Sequence, residues 1–241
     1  CSMSSSHAKP IINTAGTTFS DHIRRIDASR TTGPRWELDI NKFSTMSTEE
    51  FSKGYKGYRA QYDPVRTKLN HSLLKIAPQS WDWRDKGIVG PIKDQGQCGS
   101  CWAFSAVGAL ESHLMKATNT SISLSEQNMV DCVKNVLSPD KTMECCDGCG
   151  GGEMYSVYQY LTEQQNGRDD TETQYPYTGY DQSCNAVPSS VRLKVTDYVA
   201  LPKGDEKTMA QALYTYGPLS VGVNANEDWQ LYSNGIYDPG D

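Results

Sequence analysis

Hydrophobic positions near the start of the chain recur at helical spacing. Phe19, Ile23 and Ile26 stand at i, i+4 and i+7, which predicts a short amphipathic helix over residues 19–30. Apolar and charged side chains then alternate over residues 36–40, which is typical of a short strand. The run Ser47-Thr48-Glu49-Glu50 favours a second helix, because the positive end of the helix dipole stabilises carboxylates in the first turn.

The middle of the chain predicts three further helices. The first is a buried helix that begins directly after Gly99-Ser100, since four apolar residues recur at i, i+4, i+7 and i+11. These residues are Ala103, Val107, Leu110 and Leu114. The second covers residues 125–132 with Ser125 as its N-cap. The third covers residues 154–163 and is rich in tyrosine.

The last third of the chain has a different pattern of apolar and polar residues. Residues 191–195 and 219–223 alternate apolar with small or polar side chains, which predicts strands on either side of one helix near 208–216. Helices that come first and strands that follow indicate an α+β protein with two lobes.

Composition places this chain among globular proteins. It has 241 residues and a net charge of −6, with 37% apolar and 22% charged residues. Mild acidity without a dense Lys/Arg cluster argues against nucleic-acid binding. No apolar run approaches the roughly 20 residues of a membrane helix, so we expect a soluble protein. The first residue is Cys1 without a preceding signal segment, and we expect a processed chain or a fragment.

Composition also divides the chain near residue 77. Residues 1–18 are rich in Ser and Thr without periodicity, and we expect them to be disordered or an unreliable part of the sequence. Residues 19–76 carry the first predicted elements and then an extended, Gly- and Tyr-containing stretch. We expect residues 77–241 to form the main domain.

Seven of the eight cysteines lie between Cys98 and Cys184. Such a density of cysteines favours disulfides and an oxidising compartment. An alternative is a zinc site built from the Cys98-x-x-Cys101 and Cys146-x-x-Cys149 pairs. The two pairs are separated by more than the roughly 15–20 residues of a zinc ribbon, so zinc is the weaker hypothesis.

The segment from Gln95 to Phe104 carries the chemistry. Cys101 would lie in the first turn of a buried helix, where the dipole and unpaired N–H groups favour the nucleophilic thiolate. Gln95 could donate a side-chain N–H to the oxyanion formed when that thiolate attacks a carbonyl, and the backbone N–H of Cys101 would be the second donor. The alternative is a buried or disulfide-bonded Cys101 with a solvated Gln95 in a loop.

The run Cys98-Gly99-Ser100-Cys101-Trp102 resembles the local signature of the papain family of cysteine proteases. The resemblance covers about residues 19–241. Further similar segments are Trp81 to Gly87, Leu124 to Cys132, Cys149 to Gly152, Tyr175-Pro176-Tyr177, Gly217 to Val221 and, in a prosegment, Phe19, His22, Ile26, Asp27, Asn41 and Phe43.

The resemblance implies a papain-like two-lobed α+β fold, with a helical left lobe and a β-barrel-like right lobe. A partly helical prosegment over residues 19–76 would precede the peptidase domain, and residues around 54–70 would cross the cleft backwards and block it. The resemblance is closer to cathepsin L than to cathepsin B.

The resemblance also implies disulfides Cys98–Cys149 and Cys132–Cys184, and it leaves Cys145 and Cys146 without a family partner. Glycines 151 and 152 would form the rim that pairs with an extended peptide. The pocket for the second side chain before the cut would be lined by Met154 and Gly222 and favour bulky apolar residues, although core packing is the alternative for Met154. Glu153, where an apolar or aromatic residue is usual, could also admit a basic neighbour.

A thiolate nucleophile needs a base, and the family pattern places this histidine about 130–150 residues after the cysteine. The histidines of this chain are His7, His22, His71 and His113. We expect the base a few residues past Asp241 and the orienting Asn later, so that the chain as written is C-terminally incomplete and lacks both. The alternative is a non-catalytic papain-like protein that binds or scaffolds.

The sequence therefore predicts the precursor of a cysteine endopeptidase that cleaves peptide bonds through a thioester on Cys101. Expected partners are protein or peptide substrates and the protein's own prosegment in the cleft, without nucleic acid or membrane. We expect a monomer that is lysosomal or secreted. No metal or organic cofactor is implied.

Overall fold

The computed structural model describes residues 14–33, 35–59, 69–134, 136–137, 144–187, 191 and 194–238. These residues fall into two compact units. The first comprises the chain up to Lys53 together with the residues from Asn224 onward, and the second runs from Gly54 to Val223.

The first unit combines two distant parts of the sequence. Helix α1 (Thr14–Thr32) precedes strand β1 (Trp36–Leu38), and helix α2 (Thr48–Tyr55) begins in this unit. Helix α7 (Glu227–Leu231) leads directly into strand β4 (Tyr232–Gly235), which pairs antiparallel with β1. The buried side chains of Ile26, Leu38 and Leu231 form its small apolar core, so the N-terminal elements fold against the last described residues.

Local signals explain the helices of this unit. Ser47 and Glu50 form a reciprocal capping box, in which Ser47 N donates to Glu50 Oε2 (2.8 Å) and Glu50 N donates to Ser47 Oγ (3.1 Å), as the sequence predicts. Helix α1 begins at Thr14 rather than at residue 19, so the expectation of disorder is wrong for residues 14–18. The only apolar residue at those positions is Ala15, which is too small to give a clear periodic signal beside Gly16 and three threonines. The remainder of that segment, residues 1–13, lies outside the described residues.

The second unit is built on three helices. Helix α3 (Cys101–Thr118) packs against α4 (Glu126–Cys132) and α5 (Met154–Gln164). All three were predicted from the sequence, α3 from its apolar periodicity and α4 with Ser125 as its N-cap. Ser125 caps α4 as predicted, since its Oγ accepts from Asn128 N at 2.9 Å. Their shared core consists of fully buried residues, among them Trp102, Ala103, Ala106, Val107, Met129, Val130, Val157 and Leu161.

The other elements of this unit are a short antiparallel pair, β2 (Val136–Leu137) with β3 (Glu144–Cys145), and helix α6 (Glu206–Tyr216). Helix α6 confirms the prediction over 208–216, and Asp205 caps it by accepting from Thr208 N at 2.9 Å. Single 3-10 turns lie at His71–Leu73, Arg84–Lys86 and Gly148–Gly150.

The strands predicted over 191–195 and 219–223 are wrong where they can be checked. Residues 191, 194, 195 and 219–223 have no strand conformation, and residues 192–193 lie outside the described ones. Alternation shows which side chains would share a face, but a strand also needs a neighbour to accept its ladder of hydrogen bonds. No described segment supplies that ladder for residues 219–223.

A buried ion-pair network joins the start of this unit to its helices. Lys93 Nζ lies 2.7 Å from a carboxylate oxygen of Glu111 and 2.7 Å from one of Glu126. Burial raises the pKa of Glu126 to about 7 despite the opposing charge of Lys93. Two carboxylates thus depend on one ammonium group to offset their desolvation.

None of the described helices is both long and apolar enough to cross a membrane. In the same part of the chain, no three His, Cys, Asp or Glu side chains are arranged to hold a metal ion.

Candidate active site

Cys101 is the first residue of α3. The preceding Ser100 is the N-cap by position, but its side chain makes no capping hydrogen bond. The Cys101 thiol is half-buried and is the free cysteine of the described residues. Next to it, the fully buried ring of Trp102 donates its Nε1 hydrogen to Gly148 O at 3.2 Å. Trp102 thereby anchors the helix start while Cys101 stays accessible.

Two disulfides stabilise the second unit, and the first of them lies beside the start of α3. Cys98 pairs with Cys149 and Cys132 pairs with Cys184, the same pairs that the resemblance implies. Beside the first of them, Gly99 N donates to Cys149 O at 3.0 Å. The loop before Cys101 is therefore tied to the glycine-rich strip of residues 149–152.

Cys145 and Cys146, whose pairing the sequence left open, form a disulfide with each other. The zinc hypothesis needed thiolates at Cys98, Cys101, Cys146 and Cys149. Three of these four sulfurs are in disulfide bonds, and sulfur so bonded is not a thiolate ligand. The zinc hypothesis is wrong for this structure.

Gln95 lies in the loop before Cys98, and its side-chain nitrogen donates two hydrogen bonds. Its Nε2 donates to Cys98 O at 2.7 Å and to Tyr55 O at 3.0 Å. The carbonyl of Tyr55 thus receives the hydrogen bond that the sequence assigned to a substrate oxyanion.

Tyr177 connects Gln95 to the residue before Cys101. Its hydroxyl donates to Gln95 O at 2.7 Å and lies 2.7 Å from Ser100 Oγ. Its ring packs edge-on against Phe104, with 4.9 Å between centroids. The Tyr177 side chain therefore fixes the positions of Gln95 and Ser100 relative to each other, at the two ends of the loop before Cys101.

An extended segment of the chain lies along the glycine-rich strip. Gly152 N donates to Gly57 O at 2.8 Å, and Arg59 N donates to Gly152 O at 3.0 Å. These bonds form a parallel bridge centred on Tyr58 and Gly152. The guanidinium of Arg59 also donates to Gly150 O. The strip thus already binds one peptide strand, in the manner of β-augmentation.

Three glycines around the contact between residues 57–59 and the glycine-rich strip have no room for a side chain. A Cβ on Gly57 would lie 1.6 Å from Gly99 O, and a Cβ on Gly151, whose φ is +119°, would lie 2.6 Å from Gly57 O. A Cβ on Gly152 would meet the Trp102 ring at 2.6 Å. Real Cβ atoms do not approach other heavy atoms so closely, so these positions admit a peptide backbone only without side chains.

Two other residues were predicted to line the substrate pocket. Gly222 contacts this strand, whereas Met154 packs in the core. The ring of Tyr58 lies against Gly222, where a Cβ would come within 2.4 Å of it. Met154, the first residue of α5, is buried in the core cluster around Trp102. The structure thus brings Gly151, Gly152 and Gly222 together around residues 57–59, and places Met154 beneath them in the core.

Glu153 follows the strip and is 5% exposed. Its Oε2 is buried without a hydrogen-bond partner in the described structure. Burial raises the pKa of Glu153 from its ordinary 4.5 to about 7, because desolvation disfavours the carboxylate.

This shift predicts a pH-dependent stability. Between pH 4.5 and 7 the folded chain holds a proton on Glu153 that the unfolded chain has released, so stability falls as the pH rises through this window and levels off above it. Relative to Glu153→Gln, we expect wild type to lose about 3 kcal/mol of unfolding free energy between pH 4 and pH 8. Denaturant titrations of both proteins at the two pH values measure this difference. Equal pH profiles would contradict it.

His113 is the histidine of the described chain that shares a helix with Cys101, and it is engaged elsewhere. Its Nε2 lies 3.1 Å from Pro218 O, and burial lowers its pKa. It stands twelve residues beyond Cys101 in α3, or about 18 Å along the axis. His113 therefore cannot serve as the base for this thiol.

Sequence reasoning expected residues around 54–70 to cover the cleft, but it assigned no individual contact to Gly57, Tyr58 or Tyr177. Tyr177 stood in a matched motif without a role, because its partners Gln95 and Ser100 are distant in sequence. No sequence pattern around Gly57 indicates that glycine is required there. The requirement comes from Gly99, whose carbonyl oxygen leaves no room for a Cβ on Gly57.

Comparison with known proteins agrees with this arrangement. Residues 77–241 match the family described as papain family cysteine protease. The chain is 38% identical over 232 residues to a cathepsin L-like peptidase of Aedes aegypti, covering 91% of this chain and 64% of that protein. It is 40% identical over 211 residues to cathepsin L of Sarcophaga peregrina, covering 84% and 59%.

Solved structures point the same way. Digestive procathepsin L2 from the larval midgut of Tenebrio molitor superposes with a TM-score of 0.78 at 34% identity, covering 98% of this chain and 76% of that one. The chain spans 64% of the length of the Aedes aegypti peptidase and 59% of the length of the Sarcophaga peregrina cathepsin L. The family match over 77–241, the relatives and the fold agree, and this chain is a cathepsin L-like member of the papain family of cysteine proteases.

Proposed function

We propose that the protein to which this chain belongs is a cysteine endopeptidase, with Cys101 as its nucleophile. The observation that carries this proposal is the peptide strand at residues 57–59, bound along the glycine-rich strip next to the helix that Cys101 begins. The site therefore has a free thiol and a backbone that holds extended peptide, which are the two elements that peptide hydrolysis by a thiol requires.

The proposed reaction has two steps. The Cys101 sulfur attacks the carbonyl carbon of the substrate, the carbon–nitrogen bond breaks, and the amine leaves with a proton, which yields a thioester. Water then hydrolyses the thioester and regenerates the thiol. In both steps Gln95 Nε2 and the Cys101 N–H would hold the negative oxygen.

A histidine is the proposed proton carrier for both steps. The family pattern places it about 130–150 residues after the nucleophile. Because His113 lies twelve residues beyond Cys101 in α3 and contacts Pro218 O, we place the histidine and its orienting asparagine in the part of the full-length relatives that this chain does not span. The chain as given would then lack both groups.

We further propose that residues 19–76 are an inhibitory prosegment and that residues 77–241 belong to the peptidase domain. Two contacts support inhibition within the second unit. The carbonyl of Tyr55 takes the Nε2 hydrogen of Gln95, and residues 57–59 cover the strip. A substrate therefore cannot use the proposed oxyanion donor or the peptide rim until this segment leaves.

The pocket at Gly222 suggests a preference at the second side chain before the cut. The aromatic ring of Tyr58 lies against Gly222, and the missing side chain of Gly222 leaves room for such a group. We propose that substrates place a bulky apolar side chain there, with Met154 supporting the pocket from the core. The cathepsin names of the relatives and the disulfides favour a lysosomal or secreted protein.

The test is hydrolysis by the full-length protein after removal of the prosegment. We expect a peptide with leucine or phenylalanine at the second position before the cut to be cleaved at least about tenfold faster than one with glycine. We expect a thiol-alkylating epoxide to abolish cleavage. A folded protein that cleaves neither peptide would instead support a non-catalytic, binding role.

A further inference from the structure

Glu153 occupies an unusual position for a carboxylate. It follows Gly152 directly and is the N-cap of α5 by position, but its side chain makes no capping hydrogen bond. The residue is 5% exposed. Its carboxyl group is therefore held beside the peptide-binding strip without the local partner that an N-terminal carboxylate usually has.

The carboxylate also lacks a cation. In the described structure Glu153 Oε2 has no hydrogen-bond partner, and the ion pairs between described residues do not include Glu153. Ionising a buried carboxyl without a partner is costly. A ligand that supplies a positive charge with hydrogen-bond donors would remove that cost.

The space next to Glu153 is occupied by a side chain that leaves with the strand. The backbone of Tyr58 pairs with Gly152 in a parallel bridge, and the Tyr58 ring lies against Gly222. Glu153 directly follows Gly152, the residue with which Tyr58 pairs. Burial, and to a smaller extent the charge of Glu153, raises the pKa of Tyr58, in keeping with this placement. Tyr58 is 41% exposed. The Tyr58 side chain is thus partly open to solvent, and the backbone opposite it leads directly into Glu153.

We propose that Glu153 lets this pocket accept lysine or arginine, in addition to apolar residues, at the second position before the cut. The apolar stem of such a side chain would replace the Tyr58 ring against Gly222, and its charged end would pair with Glu153. This inference rests on the proposed peptidase activity and identifies a class of substrate for it.

The experiment compares two peptides that differ only at that position, arginine against leucine, with the full-length protein freed of its prosegment. We expect wild type to cleave both. In Glu153→Gln we expect kcat/KM for the arginine peptide to fall by at least about tenfold, because the charge pair is lost, and kcat/KM for the leucine peptide to change less than about threefold. Glu153→Leu tests the same loss with an apolar side chain.

Glu163→Gln is the matched control, because Glu163 lies on the same helix but is exposed. It should leave the ratio of the two kcat/KM values unchanged. Cleavage of the leucine peptide alone by wild type, or the same ratio in wild type and both Glu153 variants, would overturn the inference and leave the peptidase activity standing. Cleavage of neither peptide would overturn the proposed function and this inference with it.

Discussion

Replacing Cys101 with alanine in the full-length protein is expected to lower kcat/KM for peptide hydrolysis by at least about 10⁴-fold. The thiol is the group that would form the thioester, and it is the free cysteine of the described chain. Because the side chain is half-buried at the first residue of α3, the free energy of unfolding should change by less than about 1 kcal/mol. Steady-state kinetics and denaturant unfolding measure the two effects separately.

Ser105→Ala provides the control for this substitution. Ser105 lies one turn farther along α3 and is similarly half-buried, so its variant should retain the hydrolysis rate. Retained hydrolysis in Cys101→Ala would show that another group attacks the peptide bond.

Substituting Gly57 with alanine is expected to release inhibition in the uncleaved precursor. The new Cβ would lie 1.6 Å from Gly99 O and 2.4 Å from the Gly99 carbonyl carbon, so residues 57–59 could not keep their place on the strip. Overpacking of this kind costs roughly 1–3 kcal/mol, or about fivefold to 150-fold in the population of the uncovered strip. We expect alkylation of Cys101 in the precursor to accelerate by a similar factor.

Gly54→Ala is the matched control, because a Cβ there meets nothing within 4 Å and alanine favours the helix in which Gly54 lies. Its precursor should be alkylated as slowly as wild type. Equal alkylation rates in wild type and Gly57→Ala would contradict the role of this strand as a cover for the site.

The sequence predicts the helical part of the fold well, for a physical reason. Helices α3, α4 and α5 depend on local spacing and on caps such as Ser125, and both are visible in a short window. Strands depend on partners, and residues 219–223 alternate correctly without finding one in the described structure. The pairing of β1 with β4 joins the two ends of the chain, and no local pattern specifies it.

The residues of the candidate site likewise differ in whether a local sequence pattern identifies them. Cys101 and Gln95 were identified because a short motif places them around one loop. Tyr177 was not assigned a role, since its hydroxyl acts on Gln95 and Ser100 through contacts that only the folded chain creates. The disulfide between Cys145 and Cys146 likewise had no spacing rule to identify it.

The most direct test of the account is alkylation of the full-length protein by a thiol-reactive epoxide, with and without its prosegment, followed by mass spectrometry of the modified peptide. The account predicts stoichiometric modification of Cys101 after removal of the prosegment, slow modification before it, and loss of hydrolysis in proportion to labelling. A folded, prosegment-free protein that is not modified at Cys101, or that keeps its hydrolytic activity when Cys101 is fully modified, would contradict the assignment of Cys101 as the nucleophile.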